Sequence, residues 1–174
     1  MGLGRNYSDK HAQTAFHIRR FLGDDLDDVV WTSEPTPWGG AENVYNCFGF
    51  IMDSAAWWEP PGIPGDNEGD PRYFWPNELE DVGPWIANFI AAAQMRDFND
   101  CGQDSSWEGP FEKIVLLRSR GTFAHAALQI SPDRWKSKLG QLSDFEHSLE
   151  SILAIYPGHR TTFMKRERRT RTLG

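Results

Sequence analysis

The 174-residue chain contains two cysteines, Cys47 and Cys101, too few to build a disulfide scaffold. It has no C-x-x-C, H-x-x-x-H or H-E-x-x-H spacing, so a zinc or other metal site has no motif to stand on. No glycine-rich stretch matches a phosphate loop or a dinucleotide fingerprint, and "PGIPGDNEGD" does not approach either. No cofactor is therefore expected. No apolar run is long enough to span a bilayer, and the opening "MGLGRNYSDKHAQT" is polar, unlike a secretion signal. A reduced, cytoplasmic setting away from membranes is the expectation. Positive charge is also scarce over most of the chain. The net charge is −7, yet the segment from Arg160 holds six basic residues against Glu167, leaving residues 1–159 at −12. An acidic body of this kind excludes nucleic acid as the main partner, because phosphate binding needs a basic face.

Aromatic rings, in contrast, are abundant: 8 Trp and 11 Phe. Such a density builds a bulky core, and it can also line a cleft. The length suits one domain, 1–164, followed by a basic and flexible tail, 165–174.

Periodicity predicts a short amphipathic helix over residues 13–22 and an acidic, solvated turn at "GDDLDDVVW". A helix then starts at Asn46, a good N-cap, with Phe48, Ile51, Met52, Ala55 and Ala56 on its buried face and Pro60-Pro61 as its stop. Residues 59–81 read as a long loop, a candidate cover over a site. Pro84 opens a further helix with Trp85, Ile86, Phe89, Ile90 and Ala93 as its stripe. "EKIVLL", "TFAHAALQI" and "WKSKLG" are three strands of an antiparallel meander. "SDFEHSLESILAIY" reads as a helix with Ser143 and Glu146 as a capping box, and "HRTTFMKR" as a last strand. Helices first and an antiparallel sheet after them give an α+β fold.

Cys47 falls in the first turn of its helix. A thiol attacks as thiolate, and unpaired N–H groups at a helix start favour that charge. The same groups can hold an oxyanion, with Tyr45 or Asn46 adding a donor. A nucleophile needs a base, and His125 sits in an otherwise apolar strand, where a buried imidazole needs partners. The plain alternatives are a small core thiol and a satisfied core histidine. A third group should orient the imidazole; Ser137 on the next strand is in position, with Gln129 on the histidine's own strand. His147 falls on the polar side of its expected helix. Trp57, Trp58, Trp75 and Trp135 are candidate cleft walls, and Cys101, among aspartates, is a structural thiol.

"YNCFGFIMDSAAWWEP", "YFWP", "FEKIVLL", "FAHAALQI", "WKSKLG" and "DFEHSL", in this order, resemble an uncharacterised bacterial family, a domain of unknown function, across roughly residues 44–164. The order of cysteine helix and histidine strand is similar to NlpC-type papain-like hydrolases. That resemblance implies a papain-like fold, with Cys47 as nucleophile and His125 as base. Phe48 stands where those enzymes usually carry Ser, and Ser137 takes the third position. The expected function is a cysteine enzyme acting on an amide or acyl bond through a thioester, as peptidase, amidase or transferase. Its substrate is a peptide or another amide. The alternative is a catalytically inactive module of the same fold that binds a protein partner.

Overall fold

The computed structural model describes residues 15–16, 18–20, 28–31, 45–54, 56–60, 73–79, 83–139 and 144–169. Most of the expected cover loop, the capping residue Ser143 and the last five residues lie outside this set. The described elements are β1 (Val30–Trp31), α1 (Cys47–Ile51), β2 (Trp57–Trp58), β3 (Tyr73–Phe74), α2 (Ile86–Gln94), β4 (Asn99–Asp100), β5 (Phe111–Ser119), β6 (Thr122–Ser131), β7 (Arg134–Lys138), β8 (Asp144–His147), α3 (Leu149–Ile155) and β9 (Arg160–Glu167). Residues 15–16 and 18–20 are helical, within the helix expected there.

Seven strands make one antiparallel sheet in the order β1-β8-β7-β6-β5-β9-β4. The mixed α+β class follows, with the meander β5-β6-β7 at its centre. Alternation along the strands sends side chains to two faces. Ile114, Leu116, Ala126 and Met164 pack with α1 and α2 in one aromatic-rich core. Val115, Leu117, Ala127 and Phe163 pack with α3 and Ile18 in a second core. The sheet is thus a middle layer covered on both sides.

Several elements differ from the sequence expectation. The helix from Asn46 stops at Ile51 rather than reaching Pro60. Trp57-Trp58 instead form a strand paired in parallel with Tyr73-Phe74 from the expected loop. The helix expected over 143–156 is divided: residues 144–147 pair with β7, and α3 begins only after Ser148, whose hydroxyl accepts from the Ser151 N–H at 3.1 Å. Trp85, expected on a buried stripe, is 54 % exposed at the N-cap of α2. Asp28, expected in a solvated turn, accepts from Arg134 (2.6 Å), the Ser148 N–H (2.7 Å) and the Ser151 hydroxyl (2.6 Å), and so ties the β8–α3 junction to β7. The basic segment expected as a tail from residue 165 begins inside β9. There Arg166 is buried, bonds Glu112 at 2.7 Å and lies over the Phe98 ring.

Candidate functional site

One Asn46 side chain sets up the local geometry around Cys47. Its Oδ1 accepts from the Gly49 N–H at 2.9 Å, capping α1 as the sequence predicts. The same oxygen accepts from the Trp58 N–H at 3.3 Å, while Nδ2 donates to the Trp58 C=O at 2.7 Å. Both backbone groups of Trp58 are therefore held by the residue that starts the cysteine helix. Gly49 lets this happen. A Cβ there would lie 2.3 Å from the Ala56 carbonyl oxygen, closer than any side chain tolerates. The clamp takes the Asn46 Oδ1 and one of the two Nδ2 hydrogens. Tyr45 is buried beneath the Lys138 ammonium, which lies 4.7 Å from its ring.

Along one edge of β6 the hydrogen-bond ladder has a gap. Pairing with β7 reaches Ala127↔Ser137. Further along, the segment before α2 takes over the edge: the Phe123 N–H donates to the Pro84 C=O at 2.8 Å, and the Ile86 N–H to the Gly121 C=O at 2.8 Å. Residues 124–126 lie between these two stretches. A cavity of about 360 Å³ opens at this gap. Its walls include Cys47, His125, Tyr156 and Glu59, with aromatic surface from Trp57, Phe89 and Phe123. Trp58 and Asn46 line it too, as does Leu139 just after β7. Trp75 instead packs behind, against Trp58 and Phe89, and Trp135 lies in the other core against Phe163. Neither borders the cavity.

The thiol and the imidazole come from opposite layers. Cys47 belongs to the α1–α2 core beside Ala126. His125, paired with Leu117, points to the α3 side and stacks on Tyr156. They share one cavity because the β6 edge is open between them. A bulge helps: Leu117 pairs with His125 but Arg118 pairs with Phe123, so Ala124 is an extra residue.

Electrostatics depart from the sequence expectation. Burial pushes the Cys47 thiol up to about 11, although the N–H groups of Ala126, Phe48 and Cys47 itself reach the sulfur and oppose the shift. A helix of five residues has too little dipole to reverse the effect of burial. Burial likewise pulls the His125 imidazole down to about 3, helped by the neighbouring His147. Both groups are neutral at rest near pH 7. The His125 Nε2 is buried and has no hydrogen-bond partner.

Ser137 does not orient His125. Its hydroxyl lies 2.7 Å from the His147 Nε2, and both residues are inaccessible to solvent. The His147 Nδ1–H donates to the Ser148 carbonyl at 2.7 Å, so its Nε2 is the acceptor for the serine proton. His147, expected on the polar side of a helix, is a buried strand residue whose partners join β7, β8 and α3. Gln129 is also engaged, donating to the Ser105 C=O at 3.0 Å. Cys101 is a free thiol on the far side of the sheet from α1, next to the strand β4 that ends at Asp100.

Of the residues expected at a site, Cys47, His125, Asn46, Trp57 and Trp58 line this cavity, and Tyr156 and Glu59 join them without a sequence signal for a role. Tyr156 gave no signal, since an aromatic at a helix end reads as core. Among the described residues there is no cluster of three or more metal-ligating side chains, and no helix long and apolar enough to cross a membrane. A family model described as a domain of unknown function (DUF7689) matches residues 38–165. No curated protein and no solved structure matches the chain.

Proposed function

We propose that this chain, which belongs to the DUF7689 family of unknown function, is a papain-like cysteine enzyme that cleaves or transfers an amide or acyl bond. Cys47 is the nucleophile and His125 the base. One observation carries the reading: the thiol and an imidazole with an unpartnered buried Nε2 share the wall of a single cavity. The fold supports it coarsely, with a cysteine at a helix start packed on an antiparallel sheet that holds the histidine. Two free thiols suit a reducing, cytoplasmic compartment.

Buried at the cavity wall, the resting pair is a neutral thiol and a neutral imidazole, not a preformed ion pair. His125 Nε2 takes the thiol proton as sulfur attacks the carbonyl carbon. The N–H groups that reach the sulfur are donors beside the developing oxyanion. The carbon–leaving group bond then breaks, and the imidazolium returns the proton to the departing amine or alcohol. Water or an amine next attacks the thioester, giving hydrolysis or transfer. The aromatic walls accept the apolar part of a peptide or acyl substrate.

A second reading, an inactive binding module, is favoured by the same burial that holds the thiol protonated. Incubation with p-nitrophenyl hexanoate, followed by intact mass spectrometry, separates the two. The enzyme reading expects one acyl adduct on Cys47, absent in Cys47→Ser and formed about a hundredfold more slowly in His125→Gln. Equal acylation rates in the parent and His125→Gln would leave only the binding module.

A further inference from the structure

We infer that Tyr156 is the positioning residue for His125: a stacked phenol ring, not a hydrogen-bonding third side chain, fixes the plane of the imidazole at the wall it shares with Cys47. The inference rests on the proposed roles of Cys47 and His125.

Strand packing fixes the first side-chain torsion of a histidine, but the second is broad and roughly two-fold. Something must choose the ring plane. A hydrogen bond usually does this, yet the polar neighbours on this face are committed elsewhere. Ser137 bonds His147, and both ring nitrogens of His147 are engaged. The His125 Nε2 has no partner at all. The contact that does define the ring plane is the stack on Tyr156, with centroids 4.9 Å apart and planes 16° from parallel.

Tyr156 is itself held on two sides. Its N–H donates to the Ile152 C=O at 3.1 Å at the end of α3, and the His159 ring meets it edge-on at 5.3 Å. The phenol is therefore a fixed platform. It also responds to the state of the base. When His125 takes the thiol proton, the neutral stack becomes a cation over an aromatic face, which favours the imidazolium. The ring, and not the hydroxyl, supplies both effects.

The test uses the full chain with Cys101→Ser, so that one thiol reports. Iodoacetamide labelling of Cys47 is followed by intact mass between about pH 5 and 10, alongside melting temperatures. Tyr156→Phe keeps the ring and is expected within about threefold of the parent. Tyr156→Leu is expected to label about tenfold more slowly at neutral pH. Its profile should collapse onto the rising curve of an unassisted buried thiol, as His125→Gln does. If Tyr156→Leu melts below the assay temperature, Tyr156→Met takes its place with the same expectation. Parent-like labelling of the ring-less variant overturns the inference, as does an equal loss in Tyr156→Phe. If His125→Gln is slow while the ring-less variant is not, only the role of Tyr156 fails. If His125→Gln itself labels like the parent, the Cys47–His125 pair fails and Tyr156 with it.

Discussion

Asn46→Ala is the substitution that tests the architecture of the site most directly. The alanine removes three hydrogen bonds made by one side chain: the cap to Gly49 at 2.9 Å and the two to Trp58 at 3.3 and 2.7 Å. Loss of an N-cap costs about 1 kcal/mol. A buried backbone group left without a partner costs about 1–3 kcal/mol. Trp58 loses partners on both its N–H and its C=O, and because both bonds are only partly buried, water softens each to about 1 kcal/mol. The sum is about 3 kcal/mol, a sizeable fraction of the stability of an ordinary domain. Asn46→Asp separates the parts. It keeps the cap acceptor but sets a carboxylate oxygen against the Trp58 carbonyl, so it should recover only the cap share, about 1 kcal/mol. Urea unfolding followed by tryptophan fluorescence measures all three proteins. A loss below about 1 kcal/mol in Asn46→Ala, or full stability in Asn46→Asp, would show that the Trp58 clamp contributes nothing.

Other perturbations have equally definite outcomes. Gly49→Ala gains about 1 kcal/mol of helix propensity but forces a Cβ against the Ala56 carbonyl. A net loss of about 2 kcal/mol is expected, and a raised melting temperature would contradict the close approach. Glu112→Ala strands the buried Arg166 and should cost about 3–5 kcal/mol, whereas the paired change Glu112→Leu with Arg166→Met should cost far less. His125 and His147 have folded values lowered to about 3 and about 4, below their unfolded value of 6.5. Between those limits the unfolded chain binds more protons, so stability is complete above 6.5 and falls as pH drops toward 4. Urea midpoints that stay flat across this window would refute the neutral burial of both imidazoles.

The start of α1 and the meander β5-β6-β7 were legible because their signals are local. Asn46 is a cap by its side-chain chemistry, and strands β5 and β6 are long and apolar. The segment before α3 was not, because "SDFEHSL" satisfies two patterns. Ser143 and Glu146 mimic a capping box, but Phe145 and His147 alternate inward against β7, and the buried pairing outweighs the local cap. A helical pattern turns His147 to water and leaves the Ser137 hydroxyl unclaimed, whereas the strand brings the two side chains together. Trp57-Trp58 resemble a helix end in sequence because their pairing with Tyr73-Phe74 depends on a contact across a long loop. Cys47 was expected to be acidified by its position, yet the depth of the site is a tertiary property that no spacing reveals.

Ala124 gives the chain a parity constraint. Phe123 and His125 are two residues apart, so plain alternation would set both on the α3 side, but the bulge at Ala124 turns Phe123 the other way. Phe123 instead meets Phe48 and Phe89 on the α1 side, while His125 keeps its place against Tyr156. Loss of Ala124 alone would leave the pairs Leu117↔His125 and Arg118↔Phe123 in place and keep the two rings on opposite faces. Inserting a residue between His125 and Ala126 has no such bulge to absorb it: one of the two changes face, separating imidazole from thiol without altering either side chain.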